Sequence, residues 1–300
     1  MTSALQLTAE ARRLERGIEH TSLDETFESL SRRARELAKN YQRATPYPFA
    51  VIDDFLPTEV AERLLTDFPS PRSEVWRRLP SADQFNKLTL SDDRLMPQSI
   101  RSVVHELNSG AFLRILEEIT GIGKLVADTK LVGGGLHQID RGGHLNVHVD
   151  YSHHPETMLN RRLNLILYLN KDWKEEFGGH FELWDAKVTR CEHRIAPLFN
   201  RCVIFSTTSY SYHGHPEPLT CPDGFTRKSI ALYYYSNGRP EENGPIVEHN
   251  TLFRLRPGDR FSFGNFLVRS LSSGWVRDLT PPVFYRWLRW AWNRSPRLKK

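Results

Sequence analysis

The chain is expected to be an α+β protein in which helices precede an antiparallel sandwich or jelly roll. Three observations carry that expectation. Apolar residues recur at helical spacing as far as about residue 119. From Val126 the texture changes to short alternating runs separated by Gly, Asn, Asp and Pro, without the long helical crossovers that parallel strands need. A content of 39% apolar and 11% aromatic residues over 300 positions is enough for a sizeable core.

Taken in order, Thr8 to about Gln42 is rich in Arg, Glu, Leu and Ala and reads as one or two surface helices. Ser22 and Glu25 offer a capping box for the second. These helices are read as a cover for a sheet or a contact between copies of the chain, and residues 1–45 as an N-terminal helical extension. Phe49-Ala50-Val51-Ile52 reads as a strand, and Thr58 caps a helix to about Asp67. Residues 70–100 look like loop, a length that often borders a site. Helical spacing returns from about Ile100 to Ile119 and stops at Gly121. Strands are expected at Lys130–Ile139, His144–Val149, Leu163–Leu169, His180–Trp184, Arg194–Pro197, Cys202–Ser206 and Thr226–Tyr235.

Composition excludes several classes. No run of eighteen apolar residues exists, and the N-terminus shows no signal-peptide segment, so a cytoplasmic protein is expected. Cys191, Cys202 and Cys221 lack any Cys-x-x-Cys spacing and read as buried or incidental thiols. The formal charge is +5, but the basic residues are spread along most of the chain, which reads as a solvated surface; no nucleic-acid motif accompanies them. The exception is Phe284-Tyr285-Arg286-Trp287-Leu288-Arg289-Trp290-Ala291-Trp292, inside a basic aromatic extension spanning 241–300. That stretch could lie on an anionic membrane surface or a partner, although packing against its own domain is the commoner fate.

The chemistry is concentrated in strands with one polar face. In His144–Tyr151, Leu145, Val147, Val149 and Tyr151 alternate with Asn146, His148 and Asp150. His148 and Asp150 then stand two residues apart on one face, close enough to converge on one metal ion. His-x-Asp alone is a weak signal in a chain with twelve histidines. In Leu163–Leu169 the leucines share one face and leave Asn164, Ile166 and Tyr168 on the other, where an amide and a phenol need partners. His213 and His215 follow the Cys202–Ser206 strand. Arg227 and Ser229 share a face of the last strand, with Lys228 opposite.

In that order, His148-x-Asp150, the Arg162–Asn170 strand, Gly178-Gly179-x-Phe181-x-Leu183, His213-x-x-Pro216 and Arg227-x-Ser229, the chain resembles the prolyl 4-hydroxylase-like branch of the Fe(II)- and 2-oxoglutarate-dependent oxygenases. The resemblance covers about residues 47–236. It implies a double-stranded β-helix core (126–236) inside a domain spanning 46–240. His148, Asp150 and His213 would be the iron ligands and the catalytic centre; the His-x-x-Pro register favours His213 over His215. Three protein ligands leave three sites on an octahedral ion, two for a chelating 2-oxo acid and one for O2.

By the same resemblance Arg227 and Ser229 would anchor the far carboxylate of 2-oxoglutarate, with Lys228 as a competitor if a bulge reverses the faces. Tyr168 would be a further donor to that carboxylate, and Asn164 and Gln138 would line the cosubstrate or substrate pocket. The implied reaction hydroxylates an unactivated carbon while 2-oxoglutarate becomes succinate and CO2, with ascorbate as an accessory reductant. A prolyl or other peptidyl residue is the family's leading acceptor. A free amino acid, a natural-product or saccharide intermediate, a cupin-type iron enzyme independent of a 2-oxo acid, and an inactive barrel serving as a binding scaffold are the alternatives.

Overall fold

The computed structural model describes residues 4–78, 83–239 and 248–259, with side chains from residue 23 onward. Of the one or two helices expected here there is one, α1 (Ala4–Arg43): the chain stays helical through Ser22, with no Pro and only one Gly between residues 8 and 42 to interrupt it. On the described part of α1, Leu23, Phe27, Leu30, Ala34, Leu37 and Tyr41 are buried at helical spacing. They join the main core, and the Tyr41 hydroxyl is 2.7 Å from Ser206 Oγ.

The rest follows as β1 (Phe49–Ile52), α2 (Thr58–Asp67), β2 (Arg77–Arg78), β3 (Gln84–Leu90), α3 (Gln98–Leu107), α4 (Gly110–Thr120), β4 (Val126–Ala127), β5 (Gly135–Val149), β6 (Asn160–Tyr168), β7 (Phe181–Trp184), β8 (Cys191–Ile195), β9 (Arg201–Ser206), β10 (His213–His215), β11 (Arg227–Ser236) and β12 (Leu252–Phe253). Three corrections to the expected elements matter. The helix expected from Ile100 to Ile119 is two, because Ser109 starts a new one, its hydroxyl accepting from the Phe112 amide. The loop expected over 70–100 contains β2 and β3. The strands expected at 130–139 and 144–149 are one long strand.

That strand, β5, is the hub of a curled antiparallel sheet ordered β1-β9-β6-β11-β5-β10-β7-β8, with β3 and β12 also on β5. Its first half pairs with β11 (Arg227 opposite Ile139, Ser229 opposite His137) and its second half with β10 (His213 opposite His148). The change of partner follows Arg141-Gly142-Gly143. Gly142 is left-handed (φ +76°), and a Cβ on Gly143 would meet the Asp140 and Phe85 carbonyls at 2.8 and 2.9 Å. A jelly-roll wall results, one strand serving both of its sheets.

The helices cover one face. Leu163, Leu165 and Leu167 of β6, Ile204 of β9, and Ile230 and Leu232 of β11 pack beneath α1–α4 in one core, where Phe112 meets Phe27, Phe55 and Tyr234 at 5.4, 6.2 and 6.4 Å between ring centroids. Period-two alternation then turns Asn164, Ile166 and Tyr168 to the other face, which lines a cavity. Beyond the expected boundary at 240, β12 pairs Leu252 with Val149 and Phe253 with His148. The basic aromatic stretch at 284–292 lies outside the described residues. Among the described residues no helix is long and apolar enough to cross a membrane.

Candidate active site

The cavity is about 450 Å³, and its lining includes His148, Asp150, Arg161, Asn164, Tyr168, His213, His215, Arg227 and Ser229. The end of β5 contributes His148, Asp150 follows directly after the strand, and β10 brings His213 alongside through the His213–His148 pairing. One ligand atom from each of the three lies within 4.8 Å of the others. His148 Nε2 is 3.6 Å from Asp150 Oδ1, and His213 Nε2 is 3.4 Å from Asp150 Oδ2.

Both rings are oriented alike. Nδ1 of His148 donates to the Asn146 carbonyl and Nδ1 of His213 to the Ser211 carbonyl, each at 2.8 Å, so each Nε2 turns a lone pair toward Asp150. Burial lowers His213 to about 4, against the opposing pull of Asp150, and so keeps its imidazole neutral as metal binding requires. For Asp150 burial acts upward, but the nearby Arg161, His213 and His148 outweigh it and hold the carboxyl well below its ordinary value. Two imidazoles and one carboxylate, converging on the cavity, fit a single divalent ion and leave its remaining positions free for other ligands.

β10 sits against β5 because residue 214 has no side chain. A Cβ there would lie 2.8 Å from the Leu145 carbonyl oxygen and 2.9 Å from that of Asn146. Gly214→Ala is expected to push the strands apart at His213, and metal affinity measured by Mn(II) titration should fall by roughly tenfold or more, as when a metal ligand's support is lost. Unchanged affinity would show that β10 can shift without disturbing its histidine.

The register also corrects the reading of β5. His213 opposes His148 while His215 opposes Leu145, so two residues on β10 span three on β5. Leu145 therefore lines the cavity, whereas Asn146, expected to share the face of His148, turns to Asp83 at 3.2 Å. Gln138 is corrected as well. It is fully buried, its amide donates to Thr226 Oγ1 at 2.7 Å, and it lies outside the cavity; alternation gives that wall to its neighbours His137 and Ile139.

At the far end, Arg227 is buried with Nε donating to the Gly179 carbonyl at 2.8 Å and Nη2 to Tyr168 Oη at 3.2 Å. Ser229 pairs across to both Tyr168 and His137. No bulge interrupts Arg227–Ser229, so Lys228 points away and its backbone amide donates to Asn170 Oδ1. His215 lines the cavity with both ring nitrogens unpartnered. His154 instead sits 3.5 Å from Asp128, His180 2.9 Å from Glu175, and His144 stacks on Phe85 at 6.1 Å.

Arg161 had no role in the expected site. It is 1% exposed, lies 3.2 Å from Asp150 Oδ2, and stands 3.6 Å from the Tyr233 ring centroid and 4.5 Å from that of Tyr151. Asn164 joins the two charges, accepting from Arg161 Nε at 2.9 Å and donating to Asp150 Oδ2 at 2.7 Å. Arg161 shares its strand parity with the buried leucines, and its exit to the cavity follows the register shift between Tyr234 and Tyr235 on β11. Lys87 and Thr89 were hidden in the stretch expected to be loop. Their signal was the alternation of Lys87 and Thr89 with buried Leu88 and Leu90.

Residues 134–235 match the family model described as the 2OG-Fe(II) oxygenase superfamily. The prolyl 3-hydroxylase OGFOD1 of Mus musculus is 28% identical over 86 residues, 27% of this chain and 15% of that protein, so the chain spans only a small part of its curated relative. The Trichoplax adhaerens prolyl hydroxylase, solved in complex with a hypoxia-inducible-factor oxygen degradation domain peptide, superposes with a TM-score of 0.50 at 17% identity over 71% of this chain and 92% of that one. A Pseudomonas putida prolyl-4-hydroxylase gives 0.46 at 17% identity over 67% of this chain and 100% of that one. It is residues 134–235, the stretch that holds His148, Asp150, His213 and Arg227, that are similar to the 2OG-Fe(II) oxygenase superfamily. The likeness to the Trichoplax adhaerens prolyl hydroxylase is one of fold.

Proposed function

We propose that the chain is an Fe(II)- and 2-oxoglutarate-dependent dioxygenase that hydroxylates an unactivated carbon of a peptide or small molecule. The observation that carries this is the convergence of His148, Asp150 and His213 beside a buried, cavity-facing Arg227. His148, Asp150 and His213 would hold the iron. When bound, the iron with 2-oxoglutarate and O2 supplies the oxidising chemistry, releasing succinate and CO2 and transferring one oxygen atom to a C–H bond.

The protein's own part is positional and electrostatic. Arg227 and the Tyr168 hydroxyl offer donors to a carboxylate, and Ser229 adds a third on the same face, which suits the far end of a diacid. Asn164 and Arg161 fix the orientation of Asp150, and Arg161 keeps it ionised. Tyr151 and Tyr233 close over Arg161 and keep water from that charge pair. A prolyl or other peptidyl acceptor draws support from the names of the relatives. A cytoplasmic place of action is supported by three cysteines that are all free.

The test is direct. Anaerobic addition of Fe(II) and 2-oxoglutarate should produce the visible charge-transfer absorption of a metal-bound 2-oxo acid. A cupin-type enzyme independent of the diacid, or an inactive scaffold, would give none, and its absence would refute this reading.

A further inference from the structure

The cavity carries more positive charge than the iron and its diacid account for. Its lining includes four cations, Arg77, Lys87, Arg161 and Arg227, and a single carboxylate, Asp150. Iron(II) and 2-oxoglutarate cancel each other's formal charge and Asp150 offsets Arg161 at 3.2 Å, so Arg77, Lys87 and Arg227 carry the surplus, of which Arg227 is engaged by the Gly179 carbonyl and the Tyr168 hydroxyl and would face the diacid's far carboxylate. Lys87 and Arg77 are left over, and among the described residues neither forms an ion pair.

Their placement follows from strand register. Across four strands, Arg77 of β2 opposes Thr89 of β3, which opposes His137 of β5, which opposes Ser229 of β11. One step along, Lys87 and Arg227 flank Ile139 from either side. Lys87 and Arg227 Cα atoms therefore stand about two strand spacings apart, roughly 9 to 10 Å. The β2–β3 pair thus presents a second cationic wall across β5 from the Arg227 anchor. Lys87 has no hydrogen-bonding carboxylate, and burial, against the opposing pull of Asp150, lowers its ammonium to about 8.

Two buried histidines between these walls add unmet polar capacity. His137 is 8% exposed and its Nε2 has no partner. His215 is 4% exposed with neither nitrogen partnered. Unsatisfied groups buried this deeply are costly unless a ligand completes them. Neutral Nε2 of His137 accepts a hydrogen bond, so it suits a hydroxyl or N–H on the same ligand.

We propose that Lys87, with Arg77 at the rim, forms an anion subsite for the acceptor, so that the molecule hydroxylated bears a carboxylate or phosphate group close to the reacting carbon. His137 would take a neighbouring hydroxyl or N–H of that molecule. This inference rests on the oxygenase reading and narrows its acceptor to an anion. Free acids, sugar phosphates and acidic peptides satisfy the subsite, and a neutral peptide leaves Lys87 uncompensated.

The test uses the full chain loaded anaerobically with Fe(II) and saturating 2-oxoglutarate, titrated with inorganic phosphate and separately with acetate, following the chelate absorption. The expected result is saturable binding of at least one anion. Lys87→Met should weaken it roughly tenfold or more, the worth of one charge-assisted hydrogen bond. Lys87→Arg should retain it, and chelate formation in Lys87→Met should need no more 2-oxoglutarate than the wild type. Preference for phosphate over acetate would point to a phosphorylated acceptor, the reverse to a carboxylate. A chelate that forms but ignores both anions overturns the subsite alone, as does equal binding by Lys87→Met. A Lys87→Met variant that needs as much added 2-oxoglutarate as Arg227→Ala would place Lys87 in the cosubstrate anchor and overturn it too. Failure of the wild type to form the chelate overturns the oxygenase reading, and this inference with it.

Discussion

Asp150→Ala should produce no succinate above the metal-free background, the largest effect expected of any single change. The carboxylate is the sole anionic donor among the three converging side chains, and both imidazole Nε2 atoms lie within 3.6 Å of it. It also balances Arg161, which is 1% exposed and 3.2 Å away. Removing it leaves a buried guanidinium unpaired and would place a divalent ion beside that uncompensated charge. Loss of one partner from a buried pair costs about 3 to 5 kcal/mol, so the variant should also unfold at lower denaturant. Asp150→Asn separates the two effects: it keeps the shape and a hydrogen-bonding oxygen but removes the charge. Its succinate yield should also be at background, with Mn(II) binding weakened. Substantial turnover in either variant would remove Asp150 from the metal site.

Arg227→Ala should act on the cosubstrate instead. Nothing places its guanidinium among the metal-converging atoms, and its partners are the Gly179 carbonyl and the Tyr168 hydroxyl. Loss of a charge-assisted, two-pronged contact with a carboxylate is worth about 1.5 to 3 kcal/mol, or roughly tenfold to a hundredfold in the 2-oxoglutarate needed for half-maximal chelate absorption. Metal binding without cosubstrate should stay near that of the wild type. Arg227→Lys should recover part of the affinity, since a lysine supplies the charge but not the planar fork. Asp150→Ala and Arg227→Ala with indistinguishable metal affinities would show that the two roles had been misassigned.

The two variants also separate what could be read along the chain from what could not. The pairs His148–Asp150 and Arg227–Ser229 were legible because each lies within one extended run, where side chains two residues apart share a face whatever the run packs against. The same rule set Lys228 apart from Arg227. It failed where a neighbouring strand altered the count: two residues of β10 against three of β5 brought Leu145 into the cavity and turned Asn146 out. Gln138 was misplaced by one position, which in a strand reverses the face, and His137 and Ile139 hold that wall instead. The helices were legible in their apolar spacing, but Ser109, an N-cap inside a continuous periodic run, split one of them.

By itself, then, the sequence determined the α+β layout, the polar-faced strands and which neighbouring residues share a face, because helical and strand periodicities are local properties of an L-amino-acid chain. Only the tertiary structure decided that His213 meets His148 and Asp150, that Arg161 leans on Asp150 through Asn164, and that Lys87 stands across Ile139 from Arg227. Those meetings depend on which strands pair and in what register. Long-range hydrogen bonding and core packing fix both, and no short window of residues contains either.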